Sequence, residues 1–268
     1  MRRWIRVMSA TAMAVASATV AFGDASQQAS SPVTYAGPRA VLGEKVPMGN
    51  GQIWSWAIFD GTGRVQAVGV SMTETALEGL PTKGGHGCCD GPTYVLPMPA
   101  GLADVTAFKH IVINWNPQGH PPEGIYDKPH FDFHFYTIDE AQRDAIKNSE
   151  QNDPIASVAP SLEQLPADYA QAPGVVGKMG VHWIDTHAPE FNGKPFTSTF
   201  IYGSYAGAVT FMEPMITHAT LTSNPKITLP VRVPAKPADL RFVPVQYRIE
   251  HDVLQKQIHV AMDNVVAR

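Results

Sequence analysis

Hydrophobic and polar positions along this chain alternate with a period of two more often than they recur at helical spacing. The clearest case is His130-Phe131-Asp132-Phe133-His134-Phe135-Tyr136. A period of two is that of a β-strand, so Phe131, Phe133 and Phe135 share one face and His130, Asp132 and His134 the other. Three phenylalanines on one face need a core to cover them. The opposite face then carries three groups that bind protons or metal ions.

Similar patterns recur on both sides of this segment. Residues 52–59 (QIWSWAIF) and 64–72 (RVQAVGVSM) flank Asp60-Gly61-Thr62-Gly63, which has the chemistry of a hairpin turn. Residues 110–115 form a further strand, ended by Asn116-Pro117 and followed by a Pro-rich loop holding Gly119 and His120. After the Phe-rich strand, Thr137 and Glu140 read as a capping box. Ile138, Ala141, Ala145 and Ile146 can then share one helical face. Residues 148–178 read as irregular, with one short helix near Ser161. Strands return at 180–185, 196–202 and 208–213, the last two joined as a hairpin across Gly203 to Gly207. Residues 216–222 continue the strand pattern, and 225–237, with four prolines, suits a crossing segment or an edge strand. Final strands fall near 243–249 and 257–262. Many short strands, 22 Gly, 23 Pro and little helix predict a mainly β fold. Its antiparallel sheets would be barrel- or sandwich-like, with one or two short helices after the Phe-rich strand.

The ends and the charge narrow the class. Arg2, Arg3 and Arg6 precede an apolar, Ala-rich run, and Ala21-Phe22-Gly23 places small residues where a signal peptidase reads. Residues 1–23 are therefore expected to be a signal peptide, with cleavage after Ala25 or an uncleaved anchor as the alternatives. The expected location is periplasmic or secreted. No cysteine follows the apolar run, which argues against a lipoprotein. Residues 24–40 read as a flexible lead-in and 41–268 as a single β-dominant domain without a further transmembrane segment. The formal net charge is −4, and loss of the three leader arginines makes it −7. That gives no basic footprint for nucleic acid. Cys88 and Cys89 are adjacent, beside His86 and Asp90, so no long-range disulfide can form within one chain. A vicinal or intermolecular bridge, free thiols or a soft metal such as copper all fit.

Strand geometry limits the central motif. Side chains two apart lie roughly 7 Å apart and those four apart roughly 13 Å, whereas a histidine–metal bond is about 2 Å. Asp132 and His134 could share an ion; His130 and His134 could not without a bulge. Further ligands must come from other segments. His120 in the preceding loop, His182 in Met179-Gly180-Val181-His182-Trp183 and Glu213 before Pro214 are the candidates. The metal set is thus His120, His130, Asp132, His134, His182 and Glu213, suited to zinc, iron or manganese, with no organic cofactor. A hydrogen-bonded polar network and a metal-free catalytic site are alternatives. His187, His251 and His259 read as surface or core histidines, and Tyr136 and Trp183 as packing residues. The chain has no Gly-x-Ser-x-Gly elbow, His-Glu-x-x-His helix or phosphate loop; Ser204 reads as a turn serine.

Pro129 to Tyr136 (PHFDFHFY), Met179 to Trp183 and Glu213-Pro214-Met215-Ile216-Thr217, with Trp115-Asn116-Pro117, Gly119-His120 and Phe200 to Gly203, resemble one family. It is an exported bacterial group without assigned activity, similar to a stress-regulated thermophile protein of unknown function. The resemblance spans roughly residues 50–220. It implies a β-rich fold and the grouping of the six candidate residues, and it names no substrate. Cys88-Cys89 is not part of it. Cupins and α-type carbonic anhydrases also place histidines on strands, but as His-x-His pairs. Here Asp132 stands between the histidines, so both are analogies only. The leading expectation is an exported β-rich protein whose His/Asp/Glu site binds a divalent metal. A metal-dependent cupin-like enzyme and a structural, homo-oligomer-forming envelope protein are the alternatives.

Overall fold

The computed structural model describes residues 39–84, 90–148, 154–237, 242–263 and 266–267. The leader and Cys88-Cys89 lie outside the described residues. Two antiparallel sheets dominate. The first contains β1 (Arg39–Leu42), β2 (Val46–Met48), β3 (Gly51–Phe59) and β4 (Val65–Thr73), then β12 (Lys226–Pro230), β14 (Gln246–Asp252) and β15 (Gln257–Asp263). Its order is β1-β3-β4-β15-β14-β12, with β2 also on β3. The second contains β5 (Thr93–Pro97), β6 (His110–Asn116), β7 (His130–Tyr136), β8 (Tyr169–Gln171), β9 (Val181–Asp185), β10 (Ser198–Tyr205) and β11 (Ala208–Thr217). Its order is β5-β6-β7-β11-β10-β9-β8. A small third sheet pairs β13 (Phe242–Val243) with β16 (Val266–Ala267). The short helices are α1 (Leu102–Val105), α2 (Glu140–Ala145) and α3 (His218–Thr222).

The two large sheets pack face to face, as a sandwich rather than a closed barrel. Ile53, Val68, Val70 and Met72 of the first sheet share a core with Ile111, Ile113, Met212 and Ile216 of the second. Phe131, Phe133 and Phe135 sit in that core with no solvent exposure, as their alternation requires. Burial of each stabilises the fold by roughly 1.5–3 kcal/mol. The Phe200 and Tyr247 rings, 5.5 Å apart, link the sheets further along.

The hairpin at Asp60 forms as its turn residues dictate. The Asp60 carboxylate accepts from the backbone N–H of Thr62 and Arg64 and from the Thr62 hydroxyl. The Pro-rich stretch yields β12, an edge strand paired only with β14, where missing N–H groups do least harm. Near Ser161, a single 3₁₀ turn spans Leu162–Gln164.

Four local expectations change. Arg39 and Ala40, assigned to the lead-in, lie in β1 opposite Phe59 and Ile58. The capping box of α2 is Asp139 with Gln142, not Thr137 with Glu140. Thr137 is still tied to β11, its N–H to the Thr210 carbonyl and its hydroxyl to that of Val209. The strand pattern at 216–222 ends at Thr217, which caps α3 by accepting from the Thr220 N–H. Ser204 is a strand residue at a bulge in β10, and its hydroxyl accepts the Trp183 indole N–H at 2.8 Å. No helix among the described residues is long and apolar enough to cross a membrane, which says nothing of strands.

Candidate metal centre

β7 is paired on both sides, to β6 and to β11. A strand in that position can bury both faces. The face turned away from the sandwich core carries His130, Asp132 and His134, and none of the three has any solvent exposure. The loop between β6 and β7 and the segment before β10 cover it. Tyr126 packs against Phe196 at 4.9 Å, and Phe196 lies 5.4 Å from the His130 ring.

Register brings in the partners. β6 sets Asn116 opposite His130 and Asn114 opposite Asp132. β11 sets Met215 opposite Asp132 and Phe211 opposite Tyr136, and the same register places Glu213 opposite His134. Pairing with β7 lapses at Glu213 and Pro214, where proline has no N–H to donate. His182 of β9 lies opposite Gly203 of β10. A Cβ at Gly203 would come within 2.0 Å of the Phe211 ring, so only glycine lets that ring lie there. Phe211 in turn packs on His134 at 4.9 Å and on His182 at 5.4 Å.

The six candidate residues separate into two triads, each of two histidines and one carboxylate. In His120, His130 and Asp132, the Nε2 of His130 is 3.2 Å from Asp132 Oδ1 and that of His120 is 3.6 Å from Oδ2. In His134, His182 and Glu213, the two Nε2 atoms lie 3.5 and 3.9 Å from Glu213 Oε2. Within each triad the donor atoms all lie within 4.8 Å of one another, so each group could hold a metal ion. A single ion shared by Asp132 and His134 is not what the geometry offers. The strand repeat of roughly 7 Å gives each its own partners instead.

The histidines of the first triad are oriented from behind. His130 Nδ1 lies 2.6 Å from the Lys128 carbonyl and His120 Nδ1 lies 2.7 Å from the Pro121 carbonyl. A carbonyl only accepts, so each Nδ1 carries a proton and each ring turns its Nε2 toward Asp132. Two lone-pair atoms at 3.2 Å repel unless a proton or a cation lies between them. Asn116 Nδ2 donates to Asp132 Oδ2 at 2.7 Å and fixes the carboxylate.

Electrostatics favour an ionised Asp132 and neutral imidazoles in the second triad. Burial pushes the Asp132 carboxyl up, but the charge of His130 and the contacts from His120 and His130 outweigh it and hold it well below its usual range. Burial pushes His134 down to about 3 against the opposing pull of Asp132. Burial, with His120 adding to it, pushes His182 down to about 4. Neutral imidazole is the metal-binding form.

Asn116 and the carbonyls of Lys128 and Pro121 also face the centre; in the sequence Asn116 is marked only by the Trp115-Asn116-Pro117 resemblance, and the carbonyls not at all. Asn116 sits in a Trp-Asn-Pro run that reads as a strand end. His187 is 59% exposed on its side chain, as expected for a surface histidine, and Tyr136 is a packing residue whose hydroxyl donates to the Lys178 carbonyl.

The chain is similar to one known family. The model of a family described as TTHB210-like, Hypothetical protein TTHB210, matches residues 60–115. That segment runs from the first hairpin to β6 and stops before the metal candidates. It is narrower than the resemblance drawn from the motifs. No curated protein and no solved structure matches the chain.

Proposed function

We propose that this chain is an exported protein that binds a divalent transition metal ion at His120, His130 and Asp132. The observation that carries the reading is the spacing of the donor atoms. Two atoms bonded to one tetrahedral ion at about 2.0–2.1 Å lie about 3.3–3.4 Å apart. The histidine–carboxylate separations here, 3.2 and 3.6 Å, bracket that value. Two nitrogens and one carboxylate suit zinc, iron or manganese, and the Nδ1–carbonyl bonds are the outer support that metal-bound histidines use.

Burial favours a role in binding and stability over turnover. A second reading, metal-dependent catalysis, draws on one feature: three protein ligands leave a coordination position open. The His120 and His182 side chains, 10% and 15% exposed, are the parts of the centre that reach toward solvent. Elemental analysis of tag-free protein, before and after chelation, tests the binding. The expected result is a full equivalent of metal that is lost to chelator and regained on reconstitution. No stoichiometric metal and no uptake would sink it. Export predicts a mature N-terminus near Asp24 or Ser26 by mass spectrometry, and an intact Met1 in a soluble cytoplasmic fraction contradicts it.

A further inference from the structure

We infer that His134, His182 and Glu213 form a second metal site, so that the chain carries a coupled pair of ions on one sheet face. The inference rests on the proposed metal binding at the first triad and extends it. Three observations carry it. The second triad repeats the donor set of the first, two imidazole nitrogens and one carboxylate oxygen. Its separations from Glu213 Oε2, 3.5 and 3.9 Å, exceed the 2.7–3.2 Å range of a nitrogen–oxygen hydrogen bond. They need only a small contraction to meet the tetrahedral edge of about 3.3–3.4 Å. Third, His134 is fully buried, with a backbone contact to Val112 and no side-chain hydrogen bond of good geometry among the described residues. A carbonyl can take only the ring's N–H, so the lone pair on the other nitrogen is costly to bury unless something occupies it.

The two triads cannot act independently. Asp132 and His134 are next neighbours on one face of β7, so the two ions would sit roughly 7 Å apart. Each brings two positive charges, and each triad supplies one carboxylate. The net charge at the centre therefore rises with each ion bound, in surroundings that screen poorly. The second ion must bind more weakly than the first, by about tenfold or more.

The test uses the full mature chain, stripped with chelator and titrated with Zn²⁺ or Co²⁺ by calorimetry. Bound metal is then counted after gel filtration. Wild type is expected to take up two equivalents in two unequal steps. Glu213→Gln is expected to keep one equivalent and lose the weaker or the stronger step entirely. Asp132→Asn is expected to keep the other. Should Glu213→Gln fail to fold, judged by circular dichroism, His182→Asn removes a partly exposed ligand of the same triad and should give the same loss. A wild-type stoichiometry of one, unchanged in Glu213→Gln or His182→Asn, overturns the second site and leaves the first reading standing. A stoichiometry of zero overturns both. Two identical, independent steps overturn the coupling.

Discussion

Both sheets carry histidines beside polar partners, and they treat them differently. On the first sheet, His251 Nε2 meets Glu74 Oε1 at 2.6 Å, and Ser71 Oγ meets His259 Nδ1 at 2.6 Å. These are ordinary hydrogen bonds, and Ser71, His251 and His259 border a groove of about 680 Å³ with Trp54, Trp56 and Arg248. On the second sheet three of the four histidine–carboxylate separations run from 3.5 to 3.9 Å and the fourth is 3.2 Å, under a cover that leaves His120 and His182 10% and 15% exposed. One chain thus contains both the closed distance of a pair that needs nothing between its members and the opened distance of a pair that does. The burial makes the contrast sharper. A half-exposed partner such as Glu74, 40% exposed, can turn to water. Asp132 cannot, because it has no exposure at all. An opened spacing where water is excluded costs free energy unless an ion fills it.

The largest expected effect breaks the second-sheet side of this contrast. Asp132→Asn keeps the shape and removes the charge. Loss of one member of a buried charged cluster should destabilise the fold by about 3–5 kcal/mol. Chelation of wild type should lower the melting temperature and chelation of the variant should lower it less. Equal melting curves for both proteins with and without chelator would mean that the face is not a charged centre.

Asn116→Ala probes support from the neighbouring strand. Asn116 donates to the Asp132 carboxylate, and a buried bond to a charged group is worth about 1.5–3 kcal/mol. Loss of such an outer contact also weakens metal binding about 10–100-fold. A stability loss with unchanged affinity would assign Asn116 to packing alone.

How much of this could be read from residues alone differs between the two levels. The alternation in 130–136 places the phenylalanines and the polar row on opposite faces by local geometry, and the structure keeps both. The division into two triads depends on which strands flank β7 and in what register. That is non-local, and Pro214 disguised it. A proline after Glu213 reads as a strand end, yet β11 runs through it to Thr217. The capping box failed for a related reason. Thr137-x-x-Glu140 fits the pattern as well as Asp139 with Gln142 does, but Thr137 is held by β11. The carbonyls behind His120 and His130 have no local signature at all, and Asn116 has only the Trp-Asn-Pro run of a strand end.

Acid should separate buried neutral histidines from exposed ones. His110 is 2% exposed and stacks on Tyr136 at 4.8 Å. Burial, with Arg143 nearby, pushes it down to about 4 from 6.5. The unfolded chain therefore takes up this proton near pH 6.5 and the folded chain only near pH 4. Stability is fully present above pH 6.5 and is lost as pH falls through that window, by about 2 kcal/mol at pH 5 from this group. His134 and His182 act in the same direction. Denaturant melts of His110→Phe between pH 7 and 5 should show a shallower loss than wild type. Parallel slopes would remove His110 from the account.

The smallest expected effect is on the first sheet, and it serves as the control. The His251–Glu74 pair has the short distance and a half-exposed carboxylate, the features of an interaction worth about 0–1 kcal/mol. Glu74→Gln keeps a side-chain oxygen that can accept from His251 if the ring carries a proton on Nε2. Stability should change by no more than that amount, and metal content and the response to chelator should not change. The comparison between faces rests on this difference. Both variants convert a carboxylate beside histidine into an amide, and only the one at the opened spacing, Asp132→Asn, should alter metal binding. If Glu74→Gln lowers the metal content as well, the spacing of histidine and carboxylate does not distinguish the two faces. The centre would then have to be sought around Glu74 and His251 instead.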